Sequence, residues 1–277
     1  MKHRVRLGWL ILAAAFLLLG RATPARAEAE PNRPVFLYSR YFNAKGDTRY
    51  LPDGSFKDVL DRLRESFEVR VHDLPLTPKT LKGVAVVMIA NPNDKAVGDN
   101  PPPRHCSTKN IATLTRYVAK GGGLIVLGNQ ANHNLETSDM NKLLAKFGIQ
   151  FVNEFTDAKQ LILPPNALLL GGLRWAYYSG NSLRIQEDHP AVPRAIVTND
   201  LTQKPIKGTR DHPGVLLAGA KWKSGRVIVA TDAGWLTNDA LSGKGIGGVA
   251  ITDHQNWEIM ERLSLWLAAG GSEPIDL

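Results

Sequence analysis

The chain of 277 residues contains one cysteine, Cys106, so no disulfide can form within it. The folded state must therefore be stabilised by its hydrophobic core rather than by covalent cross-links. The sequence also lacks paired CxxC spacings and the HExxH motif, which are common patterns of zinc sites. Long apolar runs are absent as well, apart from Leu7–Leu19 near the N-terminus. The N-terminal run and the polar loops are therefore the most informative segments of the sequence.

The first 27 residues have the organisation of a secretory signal peptide. A basic head, Lys2–Arg6, precedes the apolar run Leu7–Leu19, and Ala25–Ala27 follows as a small-x-small cleavage site. The run is shorter than the roughly 20 apolar residues that a membrane-spanning helix needs. We therefore predict that residues 1–27 are removed and that residues 28–277 are exported to the periplasm or the extracellular space. The alternative is an uncleaved N-terminal anchor.

The mature chain is close to neutral, although the whole sequence carries a net charge of +8. Five of the 34 basic residues lie in the first 27 positions and none of the 26 acidic residues do, which leaves 29 basic against 26 acidic residues. A balance of +3 does not indicate a nucleic-acid partner. Beyond the signal peptide, no apolar stretch is long enough to predict a membrane span.

Strand and helix patterns alternate in the first half of the mature chain, which predicts an α/β fold. Apolar runs predict strands at Pro34–Tyr38, Val84–Ala90 and Leu124–Leu127, and the alternating pattern of Glu68–Leu74 predicts another. Helical periodicity predicts helices over Phe56–Phe67, Ile111–Val118 and Met140–Phe147. Ser107 or Thr108 is expected to cap the second of these helices. The expected architecture is a mostly parallel, open, flavodoxin-like sheet with helices on both faces.

Residues 149–215 have a different character and predict a β-rich insertion within the same domain. Short β-like pieces are interrupted there by Pro, Gly and Asn, at Leu161–Leu163, Ala167–Leu170, Leu183–Ile185 and Ala195–Val197. After them, Pro213–Gly219 and Arg226–Ala230 predict a hairpin. A last helix is expected over Trp257–Leu267, with Thr252 and Gln255 as its capping box.

Polar side chains follow four of the predicted strands. In an open parallel sheet, ligands bind beyond the carboxyl ends of the strands, so these side chains are expected to meet at one rim. Such a rim can hydrogen-bond a ligand, although Asn and Asp are also common in turns after strands. The predicted ligand-binding residues are Asn43, Asp47, Arg49, Tyr50, Asn91, Asn93, Asn129, Gln130, His133, Asp232 and Asn238.

The segment Tyr117–Gly128, with its three glycines before an apolar strand, resembles the core motif of the class I glutamine-amidotransferase-like superfamily. The segment Gly225–Asn238 and the helix that contains Trp266 and Leu267 strengthen this resemblance. The chain is similar to an exported branch of unknown function and to the related domain of gliding-motility and intraflagellar-transport proteins. The resemblance spans roughly residues 34–148 and 213–268, and its motifs are mainly structural.

The chain departs from true amidotransferases at the catalytic position. The resemblance implies a cysteine nucleophile directly after a central strand, but Gln130 lies near that position here. An amide cannot replace a thiolate in acyl transfer. The sequence therefore predicts an exported, noncatalytic binding or scaffold domain without a cofactor. Its expected partner is a small polar molecule, a glycan or an envelope protein.

Two enzymatic alternatives remain open at this stage. Cys106 precedes a predicted helix, whose dipole lowers a thiol pKa, so it is a possible displaced nucleophile for an envelope hydrolase. Alternatively, a metal-assisted hydrolase would need ligands from the set His133, Asp232, Asp253 and His254. A structural subunit of an envelope assembly is a third possibility, which an exposed apolar patch would favour.

Two further motifs have simpler explanations. Gly243–Gly248 matches GxGxxG in letters, but it does not follow a predicted strand, so a flexible loop is expected rather than a dinucleotide site. Trp175, Tyr177 and Tyr178 lie together in the β-rich insertion. They suit either stacking on a sugar or a partner, or packing in the core.

Overall fold

The computed structural model describes residues 33–130, 132–152, 155–167, 169–199 and 214–270. The predicted signal peptide and the start of the mature chain lie outside the described residues, as does Pro213 at the start of the predicted hairpin. The strands are β1 (Val35–Ser39), β2 (Glu68–His72), β3 (Val84–Ala90), β4 (Gly123–Leu127), β5 (Ile149–Phe151), β6 (Thr156–Ile162), β7 (Arg174–Gly180), β8 (Leu183–Ile185), β9 (Arg194–Thr198), β10 (Val215–Trp222) and β11 (Gly225–Ala230). The helices are α1 (Lys57–Ser66), α2 (Thr108–Ala119), α3 (Ser138–Leu144), α4 (Asn238–Leu241) and α5 (Asn256–Ala268).

A nine-stranded mixed sheet forms the centre of the molecule. Its parallel part has the strand order β2-β1-β3-β4-β11, which is the 2-1-3-4-5 order of flavodoxin-like folds when the five strands are numbered along the chain. The antiparallel part continues from β11 through β10 to β8 and β5, and β9 also pairs with β10. The predicted α/β class with a flavodoxin-like sheet is confirmed.

Helices cover both faces of the sheet, as the sequence predicts. Alternate residues of a strand point to opposite faces, so Phe36 and Tyr38 of β1 pack with α1 and α5, while Leu37 packs with α2 and α3. The separate hairpin of β6 and β7 adds Leu161 and Trp175 to the α1 and α5 side. Burial on both faces explains why the parallel strands read as continuous apolar runs.

One of the two predicted helix caps is confirmed. The Ser107 side chain caps α2 in a capping box with Asn110, and Gly148 adopts a left-handed conformation (φ 72°) just after the turn that follows α3. The predicted capping box of α5 is wrong. Gln255 is the residue at the N-cap, and its side chain makes no capping hydrogen bond. It accepts a hydrogen bond from the Arg174 amide instead (2.7 Å).

The β-rich insertion contributes to the structure in two ways. Strands β5, β8 and β9 extend the main sheet, whereas β6 and β7 form a two-stranded unit of their own. The described residues of the predicted piece Ala167–Leu170 form turns rather than a strand, and residue 168 lies outside the described residues. Among the described residues, no helix combines the length and apolar character needed to cross a bilayer.

Candidate functional site

Arg49 connects the loop after β1 to the loop after β4. Its guanidinium makes two hydrogen bonds to the Asp47 carboxylate, Nε to Oδ1 at 3.0 Å and Nη2 to Oδ2 at 2.9 Å. The remaining Nη1 donates to the backbone carbonyl of His133 at 2.7 Å. Burial opposes ionisation of Asp47, but the hydrogen bonds and charge of Arg49 outweigh it and lower the pKa of Asp47 below its ordinary value. The Arg49 side chain is therefore held in one orientation.

Asn129 is the centre of a second group of contacts between the same two loops. Its side-chain Nδ2 donates to the Tyr50 hydroxyl at 2.7 Å. Its Oδ1 accepts from the Gln130 amide at 2.8 Å and lies 3.0 Å from Nδ1 of His133. The predicted rim residues Tyr50, Asn129 and His133 are thus brought together by the fold.

The surroundings of His133 favour its neutral imidazole form. Burial and then the positive charge of Arg49 lower the pKa of His133 below its ordinary value. Because the Asn129 oxygen can only accept a hydrogen bond, we assign the single imidazole proton to Nδ1. The other ring nitrogen, Nε2, is then an acceptor.

Three predicted asparagines lie at the point where the strand order reverses between β1 and β3. Asn43 donates through Nδ2 to the carbonyls of Ala90 (3.0 Å) and Asn91 (2.9 Å), and Asn93 accepts from the Ala44 amide (2.7 Å). Asn91 itself adopts a positive φ of 43°, which Asn tolerates better than most residues. These amides join the two loops to each other, so their main role is to build the rim.

Gln130 and Asn238 are also engaged in contacts within the protein. Gln130 donates through Nε2 to the Ser179 hydroxyl of β7 at 2.6 Å. Asn238 donates to the Gly54 carbonyl and accepts from the Asp58 amide, each at 3.0 Å. Asn238 therefore satisfies backbone groups at the start of α1.

Asp232, which follows β11, is almost completely buried, with 3% of its surface exposed. Burial raises the pKa of Asp232 to about 8, although backbone amides of residues 233–235 and the charge of Lys159 act in the opposite direction. Lys159 itself forms a 2.9 Å ion pair with Asp157, and the two side chains are only 14% and 4% exposed. This buried charged group on β6 was missed by sequence reasoning, because the pairing depends on the tertiary fold.

A cavity of about 690 Å³ opens beside the Arg49 side chain. Of the predicted site residues, Arg49 is the one that lines it, and 32% of the Arg49 side chain is exposed. The lining is mostly polar and contains both charge signs and three amide or hydroxyl side chains on the loop before α3. The lining residues are Arg49, Asp94, Lys95, Ala96, Val97, Asn132, Asn134, Leu135, Thr137 and Ser138.

The structure gives no support to Cys106 as a nucleophile. The thiol is buried, and burial followed by the negative charges of Glu136 and Asp139 raises the pKa of Cys106 to about 12. A thiol with this pKa is almost entirely protonated at neutral pH, and the thiolate is the nucleophilic form.

The side chains that could bind a metal ion together are not the ones that the sequence suggested. Within the described ranges, the one group of suitable atoms is Asp94, His105 and Glu136, whose ligand atoms lie within 4.8 Å of one another. Both Glu136 oxygens already accept hydrogen bonds from backbone amides of α3, those of Asp139 (2.7 Å) and Met140 (2.9 Å). The residues His133, Asp232, Asp253 and His254 do not form such a group in the part of the chain that the structure describes.

The aromatic cluster of the insertion and the glycine-rich segment both have structural explanations. Trp175, Tyr177 and Tyr178 are at most 1% exposed, so they pack in the interior and offer no face for stacking on a ligand. Gly243–Gly248 lies between α4 and α5 rather than between a strand and a helix. The dinucleotide-binding explanation therefore lacks its structural setting.

Comparisons with known proteins give matches among solved structures only. No family model matches the chain, and no curated protein matches it. The N-terminal domain of mmIFT52 aligns over 87% of this chain and 100% of its own length, with 16% identity and a TM-score of 0.62. The cytoplasmic protein STM3548 from Salmonella typhimurium aligns over 84% of this chain and 98% of its own, with 12% identity and a TM-score of 0.53.

A third match is the cytoplasmic protein STM1381 from Salmonella typhimurium LT2. It aligns over 85% of this chain and 97% of its own, with 13% identity and a TM-score of 0.50. At these identities the similarity shows a shared fold and nothing finer.

Proposed function

We propose that this protein is an exported, noncatalytic binding or scaffold domain that holds a small polar molecule at the rim beside Arg49. The observation that carries the proposal is the geometry of Arg49. Its guanidinium is fixed by Asp47 and by the His133 carbonyl, yet about a third of the side chain remains exposed on the 690 Å³ cavity. Export is proposed from the N-terminal sequence alone.

The fixed orientation of Arg49 favours binding because little conformational freedom is lost when a ligand arrives. An arginine that is free in solution loses about 0.5–1.5 kcal/mol of side-chain entropy when it is immobilised at an interface. Arg49 has already lost that freedom through its bidentate pair with Asp47, whose own side chain is only 5% exposed. The site is therefore preorganised in the free protein.

The cavity lining favours a neutral, hydroxyl-bearing ligand such as a saccharide. Asp94 and Lys95 contribute opposite charges, and Arg49 is neutralised by Asp47, so the cavity has no strong excess of one sign. Asn132, Thr137 and Ser138 add side chains that can both donate and accept hydrogen bonds. Among the expected partners, this chemistry supports a glycan or a small polar molecule.

The absence of catalysis is proposed from the position that would hold the nucleophile. Gln130 follows β4 there, carries no nucleophilic atom and is hydrogen-bonded to Ser179. No observation favours the hydrolase alternative. Cys106 is buried with a raised pKa, and the metal ligands weighed from the sequence do not group together among the described residues.

The experiment is a binding screen with a matched pair of arginine variants. Glucose, N-acetylglucosamine and maltose are tested by thermal shift and calorimetry, with sodium sulfate as an anionic probe. Arg49→Gln should abolish sugar binding. Arg70→Gln should leave it unchanged, since Arg70 also pairs with an acid two residues earlier, Glu68, but lies on the exposed edge strand β2. The proposal fails if no sugar binds the wild type, if Arg49→Gln binds equally well, or if sulfate alone binds.

A further inference from the structure

A second cavity lies at the opposite end of the sheet, where β3 and β4 begin and α2 ends. Its volume is about 450 Å³, within the range of small-molecule pockets. It shares no lining residue with the cavity beside Arg49. Its lining includes Leu81, Lys82, Val84, Thr113, Arg116, Tyr117 and Lys120.

The floor of this cavity is apolar and fixed in shape. Leu81 and Val84 are buried parts of the core, and the Tyr117 ring lies against Gly122, where an added Cβ would be 2.3 Å from the ring. The Tyr117 hydroxyl donates towards the carbonyls of Val84 (3.3 Å) and Gly123 (3.2 Å). The ring is therefore anchored at its polar end and presents apolar surface to the cavity.

The rim of the cavity is positively charged. Lys82, Arg116 and Lys120 are exposed, and no carboxylate is among the residues that line the cavity. In the described part of the chain, none of the three takes part in an ion pair. Three cations that make no ion pair with a described residue, placed around an apolar floor, are complementary to a ligand with an apolar body and an anionic end.

Helix electrostatics explain only part of this charge. Arg116 lies in the last turn of α2 and Lys120 is its C-cap, and cations at a helix C-terminus are favourable. Lys82 belongs to the turn before β3 and is not part of that helix. The charge of Lys82 faces the same cavity, so the cluster exceeds what the helix requires.

We propose that this cavity binds an amphiphilic carboxylate, a molecule with a short apolar chain or ring and one carboxylate group. The apolar part packs on Tyr117 and Leu81, where its burial is favourable. The carboxylate meets Lys82, Arg116 and Lys120, and Arg116 offers the paired donors that suit a carboxylate. This site is independent of the proposed polar site beside Arg49.

The test uses octanoate as the probe, titrated calorimetrically into the purified full chain at low ionic strength. Acetate lacks the apolar body, and octylamine carries the opposite charge. The double variant R116Q/K120Q removes two of the cations. Thr113 is a half-buried residue of α2, and Thr113→Trp places a bulky side chain in the cavity. Lys109→Gln is the matched control, because Lys109 is exposed on the same helix and does not line the cavity.

Octanoate should bind the wild type and K109Q equally, at least tenfold more weakly to R116Q/K120Q, and not measurably to T113W. Acetate and octylamine should not bind measurably. The proposal is overturned if octanoate does not bind, if R116Q/K120Q or T113W binds it as tightly as the wild type, or if octylamine binds equally well. Sugar binding beside Arg49 is unaffected by either result, so the two proposals fail separately.

Discussion

The two ends of the parallel sheet use polar side chains in opposite ways. At the carboxyl ends, the side chains of Arg49 and Asn129 hydrogen-bond to neighbouring loops, and Asn129 is buried while about a third of the Arg49 side chain is exposed. At the amino ends, Arg116 and Lys120 are exposed around an apolar hollow. Polar residues near a cleft can therefore serve two different roles, in stabilising the fold or in binding a ligand. Buried polar groups stabilise the fold first, whereas the exposed part of a polar side chain is available to a ligand, whether that side chain is paired, as in Arg49, or unpaired, as in Arg116.

This comparison predicts that stability depends strongly on polar side chains near the carboxyl ends of the strands and depends little on those at the amino ends. The largest effect should come from Asp232. Its folded-state pKa is raised to about 8, so between its ordinary pKa of 3.8 and pH 8 the folded protein binds a proton that the unfolded chain lacks. This contribution is complete below the ordinary pKa and is lost as pH rises through the folded pKa.

We expect Asp232 to lower the free energy of unfolding by at most about 1.4 kcal/mol per pH unit, or about 4 kcal/mol from pH 5 to pH 8. Urea unfolding of the wild type and Asp232→Asn at each pH measures this difference. Titration of the histidines is common to both proteins and cancels in the comparison. A difference between the two proteins that does not change with pH would show that Asp232 is not titrating in this range.

The next largest effect is expected from the buried ion pair of Asp157 and Lys159. Lys159→Met leaves a buried carboxylate without its partner, which typically costs about 3 kcal/mol of stability. The control is Lys57→Met, since Lys57 pairs with Asp61 on the exposed face of α1 and should contribute less than about 0.5 kcal/mol. Urea unfolding at pH 7 distinguishes the two. Equal losses would mean that burial of the pair is energetically irrelevant.

A smaller loss is expected at Asn129. Asn129→Ala removes the partner of the Tyr50 hydroxyl and of Nδ1 of His133, and we expect a loss of about 2 kcal/mol. Asn132→Ala changes an exposed residue of the same loop and should stay within about 0.5 kcal/mol of the wild type. Chemical unfolding measures both, together with K120Q from the amino end of the sheet, which should behave like N132A. If N129A is as stable as N132A, the rim is not held together by this contact.

The sequence predicts the parallel half of the sheet well because local patterns determine it. The apolar run Val84–Ala90 becomes a central strand, and the periodicity before Phe67 becomes α1. The hairpin of β6 and β7, which lies outside the main sheet, is harder to predict. Strand β7 (Arg174–Gly180) is apolar and aromatic between glycines, and its pairing with β6 depends on contacts that no local pattern specifies.

The candidate site shows the same division. Reading the loops after the strands correctly places Tyr50, Asn129 and His133 together, because strand ends of a parallel sheet meet at one edge. The sequence pattern does not specify whether an asparagine side chain faces a ligand or a backbone group of the protein. Asn43 and Asn238 both turn to backbone groups, since a buried backbone group without a partner is costly.

An NMR titration of the labelled protein with N-acetylglucosamine, followed through the backbone amides, tests whether the rim beside Arg49 binds a polar molecule without transforming it. We expect shifts confined to the loops that carry Arg49, Asn132 and Asn134, no shifts at Gly121 and Gly122, and a sugar that is recovered unchanged. Shifts centred at the amino end of the sheet, an absence of shifts, or conversion of the sugar would contradict it.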